Sequence, residues 1–509
     1  MLGKIYSLQE LSEKIADLKG QKKRIVHCHG VFDLIHPGHI KHFEAAKKFG
    51  DILVVTITED KHVNKGPDRP IFTESLRAEN IAALQYVDFV AINRFPTAIT
   101  AIEAIKPDFY VKGQDYKNAV DDITGGIIEE KEKVEEFGGK LVFTEEIQFS
   151  SSNLINRHLE DSSEEIKNYL TDLRSRVSYE KISSYFDKIS DLKVLVIGDI
   201  IIDEYQFVNP LGKASKSATI TARKLQSELY GGGVLAIANH MAGFAKEVRL
   251  IANYGQNEQL NYLDFIKEKL NPKVSWKAIF TADRPTVVKR RFVDKVFKHK
   301  LFELIEINDS PFNAADKQKV IDELKSCEEN YDLIVVADFG HGLIDSEIVS
   351  HIANLKLFTV VNAQTNSANM GYNLLSKYPS CDYFSIDREE ARLAMHDKHA
   401  DIEKSVKHLI QQVKAKYGVV TLGIEGAIIG TLEDEKSIKS PVLSNEIIDT
   451  VGAGDAFLSV TALLAKIGVP AEEIVFIGNA VGAMAVKILG NKSYIEKVPL
   501  MKYLKTLLT

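Results

Sequence analysis

Short β-branched segments alternate with helix-periodic segments along this chain, in two separate series. This alternation is typical of parallel sheets covered by helices, so the expected fold class is α/β. In the first series the candidate strands are RIVHCHGVF (24–32), DILVVTI (51–57), VDFVAIN (87–93), PDFYVKG (107–113) and KLVFTEE (140–146). In the second they are KVLVIGDIIID (193–203), YDLIVVADF (331–339), FTVVNA (358–363), DYFSID (382–387) and GVVTLG (418–423).

Two series of strands predict two domains, and a chain of 509 residues is too long for one hydrophobic core. We expect a Rossmann-like domain over residues 1–158 and a larger α/β domain over residues 192–509. Residues 159–191 between them are polar and predict a helical linker, docked on one domain or on a partner subunit. Its apolar residues recur at helical spacing: Ile166, Leu170, Leu173 and Val177.

The charge balance excludes some classes of partner. With 64 Lys and Arg against 71 Asp and Glu, the net charge is −7, so the chain has no excess of positive charge that would favour binding to nucleic acid or an anionic membrane. The three cysteines, Cys28, Cys327 and Cys381, lack metal-site or disulfide-framework spacing. The first residues lack the apolar core of a signal peptide, and no apolar run approaches membrane-spanning length. We therefore expect a cytoplasmic protein with small-molecule partners.

The segment His29–His39, HGVFDLIHPGH, lies between a predicted strand and a predicted helix. A loop there places backbone N–H groups and a helix N-terminus beside an anion, and Gly30 and Gly38 allow close approach of a phosphate. His36 and His39 are three residues apart, so the first helical turn can direct both imidazoles to one point. Two such donors would stabilise the charge that develops on an α-phosphate during nucleotidyl transfer.

An isolated pair of histidines at this spacing more often caps a helix or forms half of a metal site. The longer string GVFDLIHPGH, however, resembles the GxFDxxHxGH signature of the cytidylyltransferase-like nucleotidyltransferases. The resemblance continues through residues 69–84, 106–116 and 149–156, and so covers essentially residues 24–157. It implies a domain that binds a nucleoside triphosphate.

The resemblance implies roles for individual residues of this domain. His36 and His39 contact the triphosphate in catalysis, and a lysine of the following helix assists them: Lys48 as a catalytic group or Lys47 as a nucleotide ligand. Further implied nucleotide-binding residues are Gly30, Phe32, Asp33, Arg77, Ser150, Ser151 and Ser152. A solvated helix charge is the alternative for Arg77. Lys112, with Gly113 and Asp115, ends a strand at the edge where α/β sheets bind ligands, and is a further candidate.

A second motif, DTVGAGDAF (449–457), precedes a helix-periodic stretch. The small residues Gly452, Ala453 and Gly454 permit a tight turn whose N–H groups converge on an anion, with a helix dipole behind them. Asp455 would stand at the helix start, where a carboxylate can accept the proton of an attacking hydroxyl in phosphoryl transfer. The alternative is an N-cap aspartate after a glycine turn.

This motif resembles the DTxGAGD signature of the ribokinase (PfkB) family of carbohydrate kinases, and the agreement extends over residues 192–509. It implies a ribokinase-like domain with a small β lid and ATP as phosphoryl donor. The implied nucleotide ligands are Thr421, Gly423 and Gly426, beside Gly452, Ala453 and Gly454. The implied sugar ligands are Asp199, Asp203, Gly232 and Gly233. Glu390 falls where the family keeps a glutamate that organises magnesium-bound water, and Asp387 is a second metal-side candidate.

The segment PTVVKRRFVD (285–294) adds basic residues to the sugar side. Lys289 and Arg291 could meet a phosphorylated sugar, and the alternative is the charged face of an edge strand. Three positions depart from the family pattern: Ala236 and Asp387 stand in place of asparagines, and Asn362 in place of an aspartate. They imply either a changed acceptor or a reduced or lost kinase activity.

Together the two domain types resemble the bifunctional heptose 7-phosphate kinase/heptose 1-phosphate nucleotidyltransferases, with the domain order reversed. The kinase would make a sugar phosphate, whose oxygen attacks the α-phosphate of ATP or CTP and releases pyrophosphate. Mg²⁺ is the expected cofactor because it bridges nucleotide phosphates. The expected product is a nucleotide-activated sugar for surface polysaccharide (lipopolysaccharide or capsule), made by a homodimer.

Two other functions stay open at this point. One is a nucleotidyltransferase whose kinase domain is inactive and serves for sensing or dimerisation, as the three departures from the family pattern suggest. The other is CTP-dependent activation of a polyol phosphate that the kinase half makes. The sequence leaves the acceptor and the nucleotide base undecided.

Overall fold

A computed structural model describes residues 2–63, 69–113, 126–144, 164–256, 261–297, 299–444 and 447–508. The chain forms two compact units, Met1–Ser162 with Met501–Thr509, and Ser163–Leu500. Among the described residues, none of the helices combines the length and apolar character needed to cross a membrane. Cys28, Cys327 and Cys381 are buried free thiols.

The first unit is a six-stranded sheet covered by helices. Its elements are β1 (Ile5–Tyr6), α1 (Leu8–Gly20), β2 (Ile25–Gly30), α2 (Pro37–Lys47), β3 (Ile52–Thr58), α3 (Glu74–Ala82), β4 (Phe89–Asn93), α4 (Ile99–Ile105), β5 (Phe109–Gly113), α5 (Gly126–Glu136) and β6 (Lys140–Thr144). All strand pairs are parallel, in the order β1-β4-β3-β2-β5-β6. The chain proceeds from β2 to one side and later returns to its other side. The carboxyl end of β2 is therefore the switch point at which open α/β sheets bind ligands.

The second unit contains thirteen strands in two sheets. The strands are β7 (Lys193–Gly198), β8 (Ile200–Lys213), β9 (Ile220–Gly233), β10 (Glu247–Gly255), β11 (Val274–Thr281), β12 (Val287–Asp294), β13 (Lys300–Glu306), β14 (Leu333–Asp338), β15 (Phe358–Ala363), β16 (Tyr383–Asp387), β17 (Tyr417–Thr421), β18 (Ala427–Thr431) and β19 (Ile438–Ser440). Nine form a central sheet in the order β11-β10-β7-β14-β15-β16-β17-β18-β19, parallel except for the pairs that β18 makes. The buried Val- and Ile-rich strands of this sheet are those expected when helices cover both faces.

The helices of this part of the chain precede, connect and follow the strands. They are α6 (Glu164–Arg174), α7 (Tyr179–Ile189), α8 (Val234–Ala242), α9 (Leu263–Lys269), α10 (Ala314–Cys327), α11 (Ser346–Ala353), α12 (Arg388–Ala394), α13 (Ile402–Val413), α14 (Ala453–Lys466), α15 (Ala471–Ala485) and α16 (Lys497–Leu508). The expected helical linker contains two helices, α6 and α7, and both belong to the second unit. The exact domain boundaries stay a prediction.

The other four strands of the second unit form a separate sheet in the order β13-β12-β8-β9, which we call the lid sheet. The chain enters it directly, because β8 begins two residues after the central strand β7 ends. β9 then runs antiparallel to β8 and returns to the central sheet, with Gly233 paired to Ile200. The predicted α/β class, with a Rossmann-like first domain and a second domain carrying a small β lid, is confirmed.

Candidate active sites

The loop after β2 brings His36 and His39 together at the start of α2. His36 is the N-cap residue, and its Nδ1 accepts a hydrogen bond from the backbone N–H of Gly38 at 3.1 Å. The rings of His36 and His39 are stacked, with centroids 3.8 Å apart and an interplanar angle of 25°. The two imidazoles thus share one position at a helix N-terminus, where partial positive charge favours an anion.

Phe32 lies beneath the histidines in the core of the first unit. Its side chain is almost completely buried, and its ring centroid is 5.3 Å from that of His39 and 5.1 Å from that of Phe43. A Cβ atom on Gly30 would lie 3.0 Å from this ring, so glycine allows the close packing. The ring of Phe32 thus packs under the loop, and its contact with nucleotide stays a prediction.

Asp33 holds the loop in place through a carboxylate that is fully buried. It accepts hydrogen bonds from Arg69 Nε at 2.6 Å and from the backbone N–H groups of Ile71 and Phe72 at 2.8 and 3.2 Å. These donors all come from one neighbouring segment, residues 69–72. We predicted that Asp33 binds nucleotide. In the structure both of its carboxylate oxygens already accept hydrogen bonds from protein groups, and the residue positions the loop.

Arg77 of α3 has no exposed surface, so the alternative of a solvated helix charge is wrong. Its guanidinium donates to the backbone carbonyls of Val31 and Thr58, the latter at 2.8 Å, and to Asp60 Oδ1 at 2.6 Å. Nε donates to the carbonyl of Phe72 at 3.0 Å. Arg77, which we predicted to bind nucleotide, therefore acts on the site through the motif loop, because one of its hydrogen-bond acceptors, the carbonyl of Val31, lies in that loop.

Lys47 and Lys48 lie at the opposite end of α2 from the histidines. At 1.5 Å of rise per residue, Lys48 is about 14 Å along the helix axis from His39. Lys47 donates to Asp88 and, at 2.7 Å, to the carbonyl of Asp51. Helical rise separates Lys47 and Lys48 from the pair of histidines, so the structure does not support the predicted nucleotide ligand at Lys47 or the predicted catalytic group at Lys48.

Lys112 gives the ligand-binding edge of the first sheet a positive charge. It lies near the end of β5, is nearly buried, and its Nζ is 2.8 Å from Glu130 Oε2. Burial and the charge of Lys112 lower the pKa of His29 to about 3 and that of His42 to about 4, so both imidazoles are neutral. Asp115 and the serines Ser150, Ser151 and Ser152 lie outside the described residues.

In the second unit, the glycine turn of the second motif leads directly into α14. Gly452 is the N-cap residue with φ of 82°, and a Cβ atom there would lie 2.1 Å from Asn491 Oδ1. Both the conformation and the contact require glycine. Ala453 and Gly454 are the first two helical residues, so the helix itself offers no acceptor for their N–H groups, and that of Ala453 makes a long hydrogen bond of 3.3 Å to the carbonyl of Thr450. Asp455 is the third helical residue, and the alternative that it is the N-cap is wrong.

Asp455 is held by a residue that the sequence did not reveal. Gln364, directly after β15, donates from Nε2 to Asp455 Oδ1 at 2.8 Å. Burial raises the pKa of Asp455 to about 7, with a further contribution from Asp203, while Gln364 and Lys289 act in the opposite direction. Gln364 is a polar side chain at the carboxyl end of a buried strand, and that position was the available signal.

The lid sheet supplies the residues predicted for the sugar side. Arg291 forms ion pairs with Asp203 and, at 2.8 Å, with Glu303. Lys289 lies on the same face of β12, and burial lowers its pKa. A Cβ atom on Gly232 would lie 2.2 Å from Asp203 Oδ2, so this position also requires glycine. The alternative of an edge strand is wrong, since β12 lies between β13 and β8.

Asp199 lies at the floor of this region, immediately after β7. It is fully buried, and its Oδ2 accepts a hydrogen bond from the backbone N–H of His341 at 3.3 Å. Burial, together with the nearby Asp338, raises the pKa of Asp199 to about 7. Asp338 is itself bound by Lys377 and by the hydroxyl of Tyr378, whose Oη lies 2.6 Å from Asp338 Oδ2. Gly233 is the last residue of β9.

Glu390 and Asp387, the predicted metal-side residues, form a capping box at the start of α12. Glu390 accepts from the backbone N–H groups of Thr365 and Asp387, each at 2.8 Å, and Asp387 accepts from that of Glu390 at 2.7 Å. Burial raises the pKa of Glu390 to about 8, and Asp387 and Asp455 add to the effect. The charges of Asp387 and Asp455 would favour a cation beside Glu390, which the carboxylates could contact through water. The described residues alone include no cluster of three or more side chains suited to hold a metal.

The predicted nucleotide turn connects β17 to β18. Thr421 ends β17, and Gly423–Glu425 forms one turn of 3₁₀ helix. Gly423 and Gly426 have φ of 62° and 91°. Between them Ile424 is 76% exposed and presents an apolar side chain beside a backbone turn at the edge of the sheet.

Asp449, the first residue of the second motif, connects its turn to the lid sheet. Its carboxylate accepts from Lys300 Nζ of β13 and from the Tyr205 hydroxyl of β8, both at 2.8 Å. It also accepts from the backbone N–H groups of Val451 at 3.1 Å and Gly490 at 3.0 Å. One buried carboxylate therefore joins two lid strands to the loop that precedes Asp455.

Two family sequence models match the chain. The model of the cytidylyltransferase-like family matches residues 27–184, and that of the pfkB family of carbohydrate kinases matches residues 192–497, more than half of the chain. This chain belongs to the pfkB family of carbohydrate kinases. The predicted combination of a cytidylyltransferase-like first domain with a pfkB second domain is confirmed.

Curated relatives share the first domain. The bifunctional protein HldE of Methylobacillus flagellatus is 38% identical over 157 residues, 30% of this chain and 31% of that protein. The bifunctional protein HldE of Desulfatibacillum aliphaticivorans is 39% identical over 154 residues, 30% of each chain. The chain thus spans about a third of the length of the curated relatives it matches.

Solved structures are similar to the pfkB domain. Ribokinase from Thermotoga maritima is 19% identical, with a TM-score of 0.49 over 62% of this chain and 99% of that one. Phosphofructokinase-2 from Escherichia coli in complex with substrates and products is 15% identical, with a TM-score of 0.49 over 62% of this chain and 98% of that one.

The three departures from the pfkB pattern are built into the fold. Asn362 donates to the carbonyl of Ser385 at 2.8 Å and accepts from Gln364 at 2.8 Å, so it helps to fix the partner of Asp455. Asp387 caps α12. Ala236 is buried inside α8. Two of the three departures therefore make hydrogen bonds close to the pfkB site.

Proposed function

We propose that this chain is a bifunctional enzyme that phosphorylates a sugar or sugar phosphate with ATP and then transfers a nucleotidyl group to the product. The observation that carries the kinase half is the environment of Asp455. This carboxylate is buried, directed by Gln364, and stands one turn from a helix N-terminus beside Lys289 and Asp203. The observation that carries the other half is the stacked pair of His36 and His39.

In the kinase reaction, Asp455 accepts the proton of the sugar hydroxyl as its oxygen attacks the γ-phosphorus of ATP, and ADP leaves. A pKa near 7 suits a general base, because the group is ionised in part at neutral pH and still binds a proton. The N–H groups of Ala453 and Gly454 stabilise the charge on the transferred phosphoryl group. Glu390 and Asp387 would hold magnesium through water, and the metal would supply positive charge to the ATP phosphates.

In the nucleotidyl transfer, an oxygen of the sugar phosphate attacks the α-phosphorus of a nucleoside triphosphate, and pyrophosphate leaves. His36 and His39 donate to the phosphate oxygens as charge develops, and the dipole of α2 acts in the same direction. Lys112 offers its positive charge at the edge of the sheet. Gly30 and the loop behind it, held by Asp33 and Arg77, leave room for the triphosphate.

The proposed acceptor is a heptose 7-phosphate and the proposed nucleotide ATP, with CTP as the second candidate. The resemblance of the two-domain arrangement to HldE supports the heptose, and Lys289 and Arg291 offer positive charge for its phosphate. The product would be a nucleotide-activated heptose for surface polysaccharide. An inactive kinase half is the rival proposal, motivated by Ala236, Asn362 and Asp387.

A substrate panel tests these proposals. The purified chain is incubated with ATP or CTP, Mg²⁺ and heptose 7-phosphate, heptose 1-phosphate, fructose 6-phosphate, ribose or a polyol phosphate, with ADP and pyrophosphate measured separately. ADP release with heptose 7-phosphate and pyrophosphate release with heptose 1-phosphate support the bifunctional proposal. Pyrophosphate release without ADP release from any acceptor supports an inactive kinase half, and a requirement for CTP with a polyol phosphate supports the third function.

We also propose that the chain forms a homodimer through the lid sheet. Strand β13 exposes Leu301, Phe302 and Leu304, with 42, 58 and 52% of their surfaces accessible. Phe302 stacks on Phe292 at 4.3 Å between ring centroids, which extends the apolar surface. Contiguous exposed apolar residues mark contact surfaces. Light scattering should give the mass of a dimer for the parent and of a monomer for Phe302→Glu, and a parent monomer would contradict the proposal.

A further inference from the structure

His341 is a buried histidine with no hydrogen-bond partner for its ring. It lies in the turn after β14, is 2% exposed, and neither Nδ1 nor Nε2 contacts a donor or acceptor among the described residues. The neighbouring Asp199 accepts the N–H of His341 through Oδ2, and its buried Oδ1 has no hydrogen-bond partner of good geometry within that part of the chain. Because the backbone N–H of Leu343 also acts to lower the pKa of this carboxyl, the orphaned ring of His341 is the stronger signal.

Each of the other buried histidines in the described part of the chain has at least one paired ring nitrogen. His240 is also nearly inaccessible, and its Nδ1 accepts the backbone N–H of Ile495 at 3.0 Å. His27 contacts Thr56 Oγ1 through Nε2 at 2.7 Å. Buried polar groups in native proteins nearly always have partners, and exceptions occur at sites that bind something else. The isolation of the His341 ring therefore points to a ligand.

The position of His341 places that ligand in the kinase cleft. Asp199 and His341 follow β7 and β14, which are adjacent in the central sheet, at the carboxyl edge. The ring of His341 lies parallel to that of Phe339, with centroids 6.4 Å apart, and Lys289 Nζ lies 6.0 Å from the Phe339 centroid. Lys289 also interacts electrostatically with Asp455. The orphaned atoms therefore lie in the neighbourhood of the proposed base.

The chemistry of the two side chains favours hydroxyl groups over phosphate. Burial and the charge of Lys289 lower the pKa of His341 to about 3, so its ring is neutral and offers one N–H donor and one nitrogen acceptor. A hydroxyl group has the same combination of donor and acceptor. Asp199 Oδ1 offers a further acceptor, which attracts a hydroxyl and repels a phosphate.

We propose that His341 binds a hydroxyl group of the acceptor sugar beside Asp199, which the sequence already predicts as a sugar ligand, and that His341 is a specificity-determining residue of the kinase half. This inference rests on the proposed kinase function and extends it from the phosphate-binding cations Lys289 and Arg291 to the sugar ring. It assigns the hydroxyl-bearing part of the sugar to the floor of the cleft, between the ends of β7 and β14.

The test uses His341→Phe in the full-length chain. Phenylalanine keeps the ring beside Phe339 and removes the two orphaned nitrogens, so the melting temperature without ligand should stay the same or rise. With heptose 7-phosphate as acceptor, KM for the sugar should rise about tenfold or more, the effect of losing a buried hydrogen bond, while KM for ATP stays unchanged. His341→Gln, which retains a donor and an acceptor, should recover part of the affinity.

His240→Phe is the matched control, because it removes a ring nitrogen that the fold uses. It should lower the melting temperature and leave KM for heptose 7-phosphate unchanged. If His341→Phe lowers the melting temperature as His240→Phe does, or keeps the parental KM in an active kinase, the inference is wrong and the proposed function stands. If the parent neither phosphorylates nor is stabilised by heptose 7-phosphate, fructose 6-phosphate or ribose, the proposed kinase function fails and the inference fails with it.

Discussion

Asp455 combines a catalytic position with a pKa raised to about 7 by burial. Because a general base acts only when ionised, the rate of ADP release should rise with pH up to about 7 and level off above it. Asp455→Asn keeps an oxygen for Gln364 but accepts no proton, and it should reduce ADP release by roughly 10²- to 10⁴-fold. Pyrophosphate release from heptose 1-phosphate should continue at the parental rate. An unchanged rate of ADP release would remove Asp455 from the mechanism.

The same substitution should change stability in a direction set by the pKa shift. A carboxyl whose pKa rises from 3.8 to about 7 on folding binds its proton more tightly in the folded state. Its stabilising contribution is present below the unfolded value and is lost as pH rises through about 7. Without nucleotide, Asp455→Asn should therefore melt higher than the parent at pH 8 and show a smaller difference at pH 5. Differential scanning fluorimetry at the two pH values measures this.

His36 lies at the start of α2 and Lys48 at its end, and the structure predicts opposite effects for substitutions of these two residues. His36→Ala or His39→Ala should reduce pyrophosphate release by roughly 10²-fold or more, because one preorganised donor to the developing charge is lost. ADP release should be unaffected. Lys48→Ala is the matched control and should leave both reactions unchanged, since Lys48 lies at the far end of α2. A loss of pyrophosphate release in Lys48→Ala alone would contradict the assignment.

At the scale of elements, strands β8 and β13 position the turn before Asp455 through Asp449. Lys300→Met removes one of the two lid side chains that bind this carboxylate, so kcat for ADP release should fall while the first domain stays active. Lys295→Met is the control, because Lys295 lies in the same hairpin and its side chain donates to Gln226 and not to Asp449. Equal kcat values for the two variants would show that the connection has no role in turnover.

Strands and loops whose sequence pattern is local, with no distant residue needed to recognise them, could be predicted from the sequence. Strand β15 occupies residues 358–363 as expected, because buried parallel strands are continuous runs of Val, Ile and Phe. Both motif loops also lie where the sequence placed them. Lys300 could not be assigned to the kinase site, since its partner Asp449 is 149 positions away and the two meet only through the lid sheet. Asp33 could be singled out by its place in the motif, but only the structure shows that its carboxylate oxygens accept hydrogen bonds from residues 69–72.

At the scale of the molecule, helix α6 determines where the chain can be divided. Its residues Ile166 and Leu173 are buried and belong to the second unit, and Arg176 pairs with Glu472 at 2.5 Å. Burial of two aliphatic side chains contributes roughly 3–6 kcal/mol. A fragment of residues 163–509 should therefore melt higher than one of residues 176–509 and keep the parental rate of ADP release. Equal melting temperatures would exclude α6 from the kinase unit.

The bond between Asp449 and the lid sheet bears on a side reaction that every kinase faces. Water is a competing phosphoryl acceptor, present at far higher concentration than any sugar. Because the turn that binds the transferred phosphoryl group takes part of its shape from Lys300 and Tyr205, its geometry depends on where the lid strands lie. A movement of the lid strands would therefore change the turn and the access of water to it together. In the proposed kinase reaction, the position of the lid thus bears on sugar phosphorylation and on the competing hydrolysis of ATP alike.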